Sequence, residues 1–179
     1  EVIHIISDKN CSKNIEITTH EIDGITTHIG YIKQTNNPIL KCILFWKTYL
    51  ILLKKTKRFD VVHLNELYPF GIFALHLKWF QNKPFIISEH WTIYHKPQHK
   101  NISYFQKIIS RIIVKKAAFV CPVSNNLKES MQLLKLRGNY NRVPNVVDTS
   151  VFYPKEKNND IFTLIHVSNM DNNHKNIEG

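Results

Sequence analysis

Seven polar side chains sit directly behind short apolar runs. Asn65 and Glu66 follow Val61-Val-His-Leu64, Glu89 and His90 close Phe85-Ile-Ile-Ser88, Ser124 follows Cys121-Pro-Val123, and Asn145 and Asp148 follow Val143. Carboxylates, amides and a hydroxyl can hydrogen-bond a sugar, and an imidazole can donate and accept at once. Where such runs are parallel strands, ligands bind outside their carboxyl ends, so these positions form one set of candidates. Each also has an ordinary structural reading. For Ser124 and Asn126 that reading is helix capping, and Asn126 with Glu129 three residues on has the form of a capping box. His90 and Glu66 stand where no cap is required, so a functional role and a satisfied polar side chain both stay open. His90, His95 and His99 also invite a metal reading, but Pro97 interrupts the segment, so the three rings need not converge and no metal is expected.

The elements that must carry these residues follow from the alternation of short Val/Ile-rich runs with longer helical spacings. The pattern predicts strands at Val2–Ser7, Ile25–Ile32, Val61–Asn65, Phe85–Glu89, Phe119–Val123, Asn141–Val143 and Thr163–Ser168. It predicts helices at Leu40–Lys57, Phe70–Gln81, Ile102–Ala117 and Asn126–Leu136. The runs at Val61 and Phe85 do not alternate cleanly, as suits parallel strands covered on both faces. The order points to an α/β fold with a doubly wound parallel sheet. A polar, proline-bearing stretch after Asp148 marks a linker over 149–160, and a new apolar run starts behind it.

Composition narrows the class. The 179 residues are 43% hydrophobic with ten Phe, seven Tyr and three Trp, enough for a packed core and unlike a disordered basic tail. Five glycines leave no GxGxxG or GxxxxGK[ST] loop, and Cys11, Cys42 and Cys121 have neither disulfide-framework nor zinc spacing. The start, Glu1-Val-Ile-His-Ile-Ile-Ser7, lacks the features of a signal peptide. The apolar stretch Ile39–Leu53 contains Lys41 and Lys47 and falls short of the roughly 20 residues that span a bilayer. The formal charge is +10, from 24 Lys and Arg against 14 Asp and Glu. Lys107, Arg111 and Lys115 recur on one helix opposite Phe105, Ile108, Ile109, Ile112 and Ile113, and Lys54, Lys55, Lys57 and Arg58 form a second cluster. These can be a solvated face and favourable cations at a helix end, or a surface for an anionic membrane. Nucleic acid is not expected as a partner, because only four of the 24 cations are Arg.

Taken in order, Asp60-Val-Val-His63, Pro84-Phe-Ile-Ile-Ser-Glu-His90-Trp-Thr-Ile-Tyr94, Val123-Ser-Asn-Asn-Leu127 and Val143-Pro-Asn145-Val-Val-Asp148-Thr-Ser-Val-Phe152-Tyr-Pro154 resemble the amino-terminal domain of family 4 glycosyltransferases of the GT-B fold. Leu164-Ile-His-Val-Ser168 and His174-Lys175-Asn176 resemble the opening of that family's second domain, and the wording around His90 is most similar to members that build bacterial polysaccharides.

The resemblance implies two Rossmann-like domains facing each other across a cleft, an acceptor-side domain over 1–148 that lacks its first strand, and the start of a truncated donor domain over 161–179. It implies a retaining hexosyltransferase that takes a nucleotide-sugar donor and a glycan or lipid-linked acceptor, without a cofactor. His90 would lie beside the transferred sugar, Asn65, Glu66, Glu89, Ser124 and Asn145 would serve the acceptor, and Lys175 would offset donor diphosphate charge. The family's arginine before that lysine has no counterpart in Ser168-Asn169-Met170. The isolated chain is expected to be inactive, and the intact enzyme to be cytoplasmic and peripheral at the inner face of the plasma membrane. The alternative is a non-catalytic binding module on the same fold, with anionic membrane or nucleic acid as its partner.

Overall fold

A computed structural model describes residues 1–154. They divide into a compact unit of Glu1–Asn145 and a second unit that starts at Val146. The class is the expected one, an α/β, Rossmann-like unit with a parallel sheet and packed helices. Its strands form two three-stranded sheets.

The first sheet has the order β1-β3-β2, with β1 at Val2–Asp8, β2 at Ile15–Ile22 and β3 at Ile25–Lys33. β1 runs parallel to β3, whereas β2 runs antiparallel to it. The strand at Ile15–Ile22 departs from the expected all-parallel sheet. Its cause is local: Ile22 pairs with Ile25 across Asp23 and Gly24, both at positive φ (52° and 74°), the geometry that makes Asp-Gly a tight hairpin turn.

Helix α1, Pro38–Lys55, packs on this sheet. Asn37 caps it, its Oδ1 accepting from the amides of Ile39 and Leu40 at 3.0 and 3.1 Å, and Pro38 supplies a preset φ in the first turn. Leu44, Tyr49 and Leu52 of α1 share a core with Ile5 and Ile32 of the sheet. The helix sits close because β3 has Gly30 beneath it; a Cβ there would lie 2.2 Å from Thr48 Cγ2.

The second sheet is wholly parallel, in the order β4-β5-β6, with β4 at Val62–Leu64, β5 at Phe85–Glu89 and β6 at Phe119–Pro122. Helices α2, Gly71–Gln81, and α3, Tyr104–Lys116, connect its strands, and α4, Asn125–Leu133, follows β6. Phe85, Ile87 and Val120 share a core with Ala74 and Leu75 of α2 and with Ile113 and Val114 of α3. Asn82, in the left-handed region, closes α2 by donating its amide to the Leu77 carbonyl. Ser103 caps α3 by accepting from the Gln106 amide at 3.2 Å.

Three further expectations need correction. The run Asn141–Val143 is not a strand; its neighbourhood touches β6 through a single parallel bridge, Val120 to Tyr140, and through the Val143 amide on the Pro122 carbonyl at 3.1 Å. The helix expected from Asn126 starts a residue earlier and its cap is Ser124, which takes the Leu127 amide at 3.1 Å. Asn126 therefore lies inside α4, and with Leu127 three residues after the cap there is no capping box. On α3, Phe105 and Ile112 of the expected apolar face are exposed, while Arg111 turns inward and donates from Nε and Nη2 to the Leu134 carbonyl at 3.3 and 3.2 Å. That guanidinium serves a carbonyl behind α4, so the expected cationic row loses its middle member. Of the expected linker only residues 149–154 are described; the strand at Thr163–Ser168 and Lys175 lie outside the described residues.

Candidate functional site

Because β4, β5 and β6 are parallel neighbours, their carboxyl ends open on one edge. This edge brings together Asn65 and Glu66 behind β4, Glu89 and His90 at the end of the central strand, and Ser124 behind β6. The segment beside β6 runs parallel to it at the Val120–Tyr140 bridge and carries Asn145 toward the same end. Asn65, Glu66, His90 and Asn145 are exposed, and Ser124 is half-buried in its cap.

Glu89 departs from its expected role. Phe85, Ile87 and Glu89 point to the same, buried side of β5, and Glu89 is fully buried. Its Oε2 accepts from the Leu67 amide at 3.0 Å, and its Oε1 from the amides of His90 and Trp91 at 3.0 and 2.9 Å. Both oxygens are thus committed to backbone, one to the loop behind β4 and one to the loop behind β5. The carboxylate faces inward, away from an acceptor, and fixes the two loops that present Glu66 and His90. Burial pushes the Glu89 carboxyl above its ordinary value against the pull of these three donors, and the nearby charge of Glu66 adds to the rise. Tyr94 and Tyr140 line the same interior. Burial pushes both phenols up, with the charge of Glu89 contributing. Tyr140 donates to the Leu136 carbonyl at 2.8 Å.

On the opposite side of the sheet, His63 Nε2 lies 2.8 Å from Ser88 Oγ. His63 is exposed and belongs to β4, Ser88 to β5. The pair stands one or two residues short of the edge and adds an imidazole and a hydroxyl to it. Only the register between two strands joins them, so nothing in the local sequence announced the contact. Of the other histidines, His95 Nδ1 is engaged by Ser130 Oγ at 2.9 Å. Among the described residues no three or more His, Cys, Asp or Glu side chains gather in a way that could hold a metal ion.

In the second unit, Asp148 accepts at Oδ1 from the Ser150 hydroxyl and amide, at 2.6 and 2.9 Å, and these bonds hold its carboxyl below the ordinary value. It makes a turn with Ser150, a local structural use for the aspartate of the Pro-Asn-Val-Val-Asp run.

A parallel sheet whose central strand ends in a histidine, flanked by amide and carboxyl groups on the neighbouring ends, is an edge suited to holding a polyhydroxylated ligand. Residues 12–151 match the sequence model described as Glycosyltransferase Family 4. The chain belongs to glycosyltransferase family 4. The match takes in all of the edge residues, Asn65, Glu66, Glu89, His90, Ser124 and Asn145, and stops short of Lys175. No curated protein matches the chain. Membership of this family implies a sugar donor and an acceptor as substrates in general terms. Among its described residues no helix is long and apolar enough to cross a membrane.

Proposed function

We propose that the chain is the acceptor-side domain of a retaining glycosyltransferase that moves a hexose from a nucleotide-diphosphate donor to a growing polysaccharide or lipid-linked glycan. The observation that supports this reading most directly is the placement of His90 at the end of the central strand, with its amide held by Glu89 and its ring exposed at the carboxyl edge. From there the imidazole can hydrogen-bond a hydroxyl of the transferred sugar or polarise the reacting centre. Asn65, Glu66 and Asn145 offer amide and carboxylate partners to acceptor hydroxyls, and Ser124 can add a hydroxyl donor while its oxygen caps α4. Donor diphosphate contact falls to Lys175. No cofactor takes part. The protein works in the cytoplasm, peripheral to the inner face of the plasma membrane.

The test is His90→Ala in an enzyme that carries this chain together with a donor domain. Transfer should fall by about a hundredfold or more, the scale of a positioned acid, base or electrostatic group, with an unchanged circular dichroism spectrum. Transfer equal to the unsubstituted enzyme would remove His90 from the reaction. Residues 1–179 alone should bind glycan without turning over the donor; steady transfer by them would overturn the division of labour.

A further inference from the structure

The peripheral location just proposed leaves open which surface meets the membrane, and the structure offers one. Helices α1 and α2 contain five Lys, four in α1 and one in α2, and no Asp or Glu. On α1, Ile39, Ile43 and Trp46 recur at helical spacing and are exposed, with Lys47 beside them. On α2, Trp79 and Phe80 are 58% and 77% exposed. Ring contacts join the two helices into one patch. Trp46 meets His76 edge-on at 5.2 Å between centroids, and His76 meets Phe80 at 5.0 Å. Exposed apolar groups gathered in this way mark an interaction surface, and one rimmed by lysines and free of carboxylates fits an anionic amphiphile. Beyond the patch, the carboxyl end of α1 opens on a pocket of about 270 Å³ lined in part by Lys57, Arg58 and Lys83, where the Glu1 carboxylate accepts the Lys57 amide.

We infer that the outer face of α1 and α2, centred on Trp46, Trp79 and Phe80, docks on an anionic lipid surface. The indole and phenyl rings enter the headgroup layer while the lysines remain at phosphate level, each contributing on the order of 1 kcal/mol, or about a fivefold gain in binding. This inference rests on the peripheral reading above but differs from the α3 row that the charge pattern alone suggests, since Arg111 is turned inward.

The experiment uses residues 1–179 with vesicles of phosphatidylcholine, with and without phosphatidylglycerol. Binding is followed by cosedimentation and by the blue shift of tryptophan emission. Anionic vesicles should bind the protein, salt should weaken the binding, and free glycerol phosphate should not compete. The double substitution Trp79→Ser with Phe80→Ser should abolish binding while leaving the thermal midpoint in place, and Lys47→Glu should weaken binding on the order of tenfold. No binding to either kind of vesicle sinks both the face and the peripheral reading, and equal binding to neutral vesicles overturns the anionic-lipid assignment alone. Vesicle binding that survives the double substitution sinks the face alone. Displacement by random single-stranded DNA at equal affinity, or competition by glycerol phosphate, overturns the lipid assignment. A dimer that the double substitution dissolves, seen by analytical ultracentrifugation without vesicle binding, assigns the face to a second copy instead.

Discussion

The carboxyl edge of β4, β5 and β6 and the outer face of α1 and α2 belong to the same unit but are built on opposite terms. At the edge, polar groups are committed. Glu89 holds three amides, Ser124 holds one, and His63 and Ser88 hold each other, so that His90, Glu66 and Asn65 project from fixed backbone. On the helix face, large apolar side chains and lysines project to solvent, with Trp46 and Phe80 in ring contact with His76. Between Asp23 and Glu129 the chain has only three carboxylates, Asp60, Glu66 and Glu89, and two of these are at the edge. The difference teaches that charge is sorted by place in the fold. Substitutions of the bonded side chains at the edge, Glu89 and Ser124, should therefore cost stability, those of the projecting His90 and Glu66 chemistry, and those on the face association alone.

Glu89 gives the largest expected effect. Glu89→Ala leaves the buried amide of Leu67 and the part-buried amides of His90 and Trp91 without their acceptor, and a buried donor left unmade costs about 1–3 kcal/mol, with less for the two that water can reach. The urea midpoint should drop by the equivalent of several kcal/mol; a drop no greater than that of a surface substitution would show that the loops find other partners. The pH dependence adds a second check. Because the folded carboxyl is raised, its contribution to stability is present at low pH and is lost as pH rises through the folded value. Glu89→Gln removes that dependence. The stability difference between the two proteins should move in favour of Glu89 as pH falls from about 8 toward the ordinary carboxyl range, and a shift in the opposite direction would mean that the three amides outweigh burial.

This residue also shows what was legible beforehand. Period-two alternation places Phe85, Ile87 and Glu89 on one side, so its inward turn was readable from the strand itself, but its position beside a histidine at a strand end drew it into the candidate site. The Asp23-Gly24 turn between two apolar-alternating runs was likewise a local signal for β2. The four helices, the parallel sheet and the gathering of Asn65, Glu66, His90 and Ser124 at one edge all followed from local patterns plus the rule that links them. Other features depend on contacts between distant segments. His63 meets Ser88 across 25 positions and Arg111 meets Leu134 across 23. No spacing encodes such a meeting, because register and helix rotation are set by the packed core.

Gly30→Ala sharpens the comparison from beneath the helix face. The new methyl would sit 2.2 Å from Thr48 Cγ2 in a fully buried contact, and overpacking of this kind costs about 1–3 kcal/mol. The thermal midpoint should fall, and Trp46 emission should change as α1 shifts. A midpoint equal to that of the parent would mean that the helix can lift from β3 without loss. A smaller effect is expected at the edge from Ser124→Ala, where loss of the α4 cap costs about 1 kcal/mol. Hydrogen exchange at the Leu127 amide should quicken while Ile113 and Val120 keep their protection; uniform loss would make the cap part of the global fold.

The smallest expected effect is the one that tests the contrast most directly. Trp79 is 58% exposed, no hydrogen bond or ring contact described above depends on it, and its neighbour Phe80 supplies the link to His76. Trp79→Ala should therefore change unfolding free energy by no more than about 0.5 kcal/mol, the usual range for a surface site. If the midpoint holds, the indole is on the face for something other than the fold, and its effect should be confined to vesicle binding. If instead stability falls as steeply as for Glu89→Ala, Trp79 is part of the core, and the division between a committed edge and an uncommitted face fails at its most exposed aromatic residue on α2 but one.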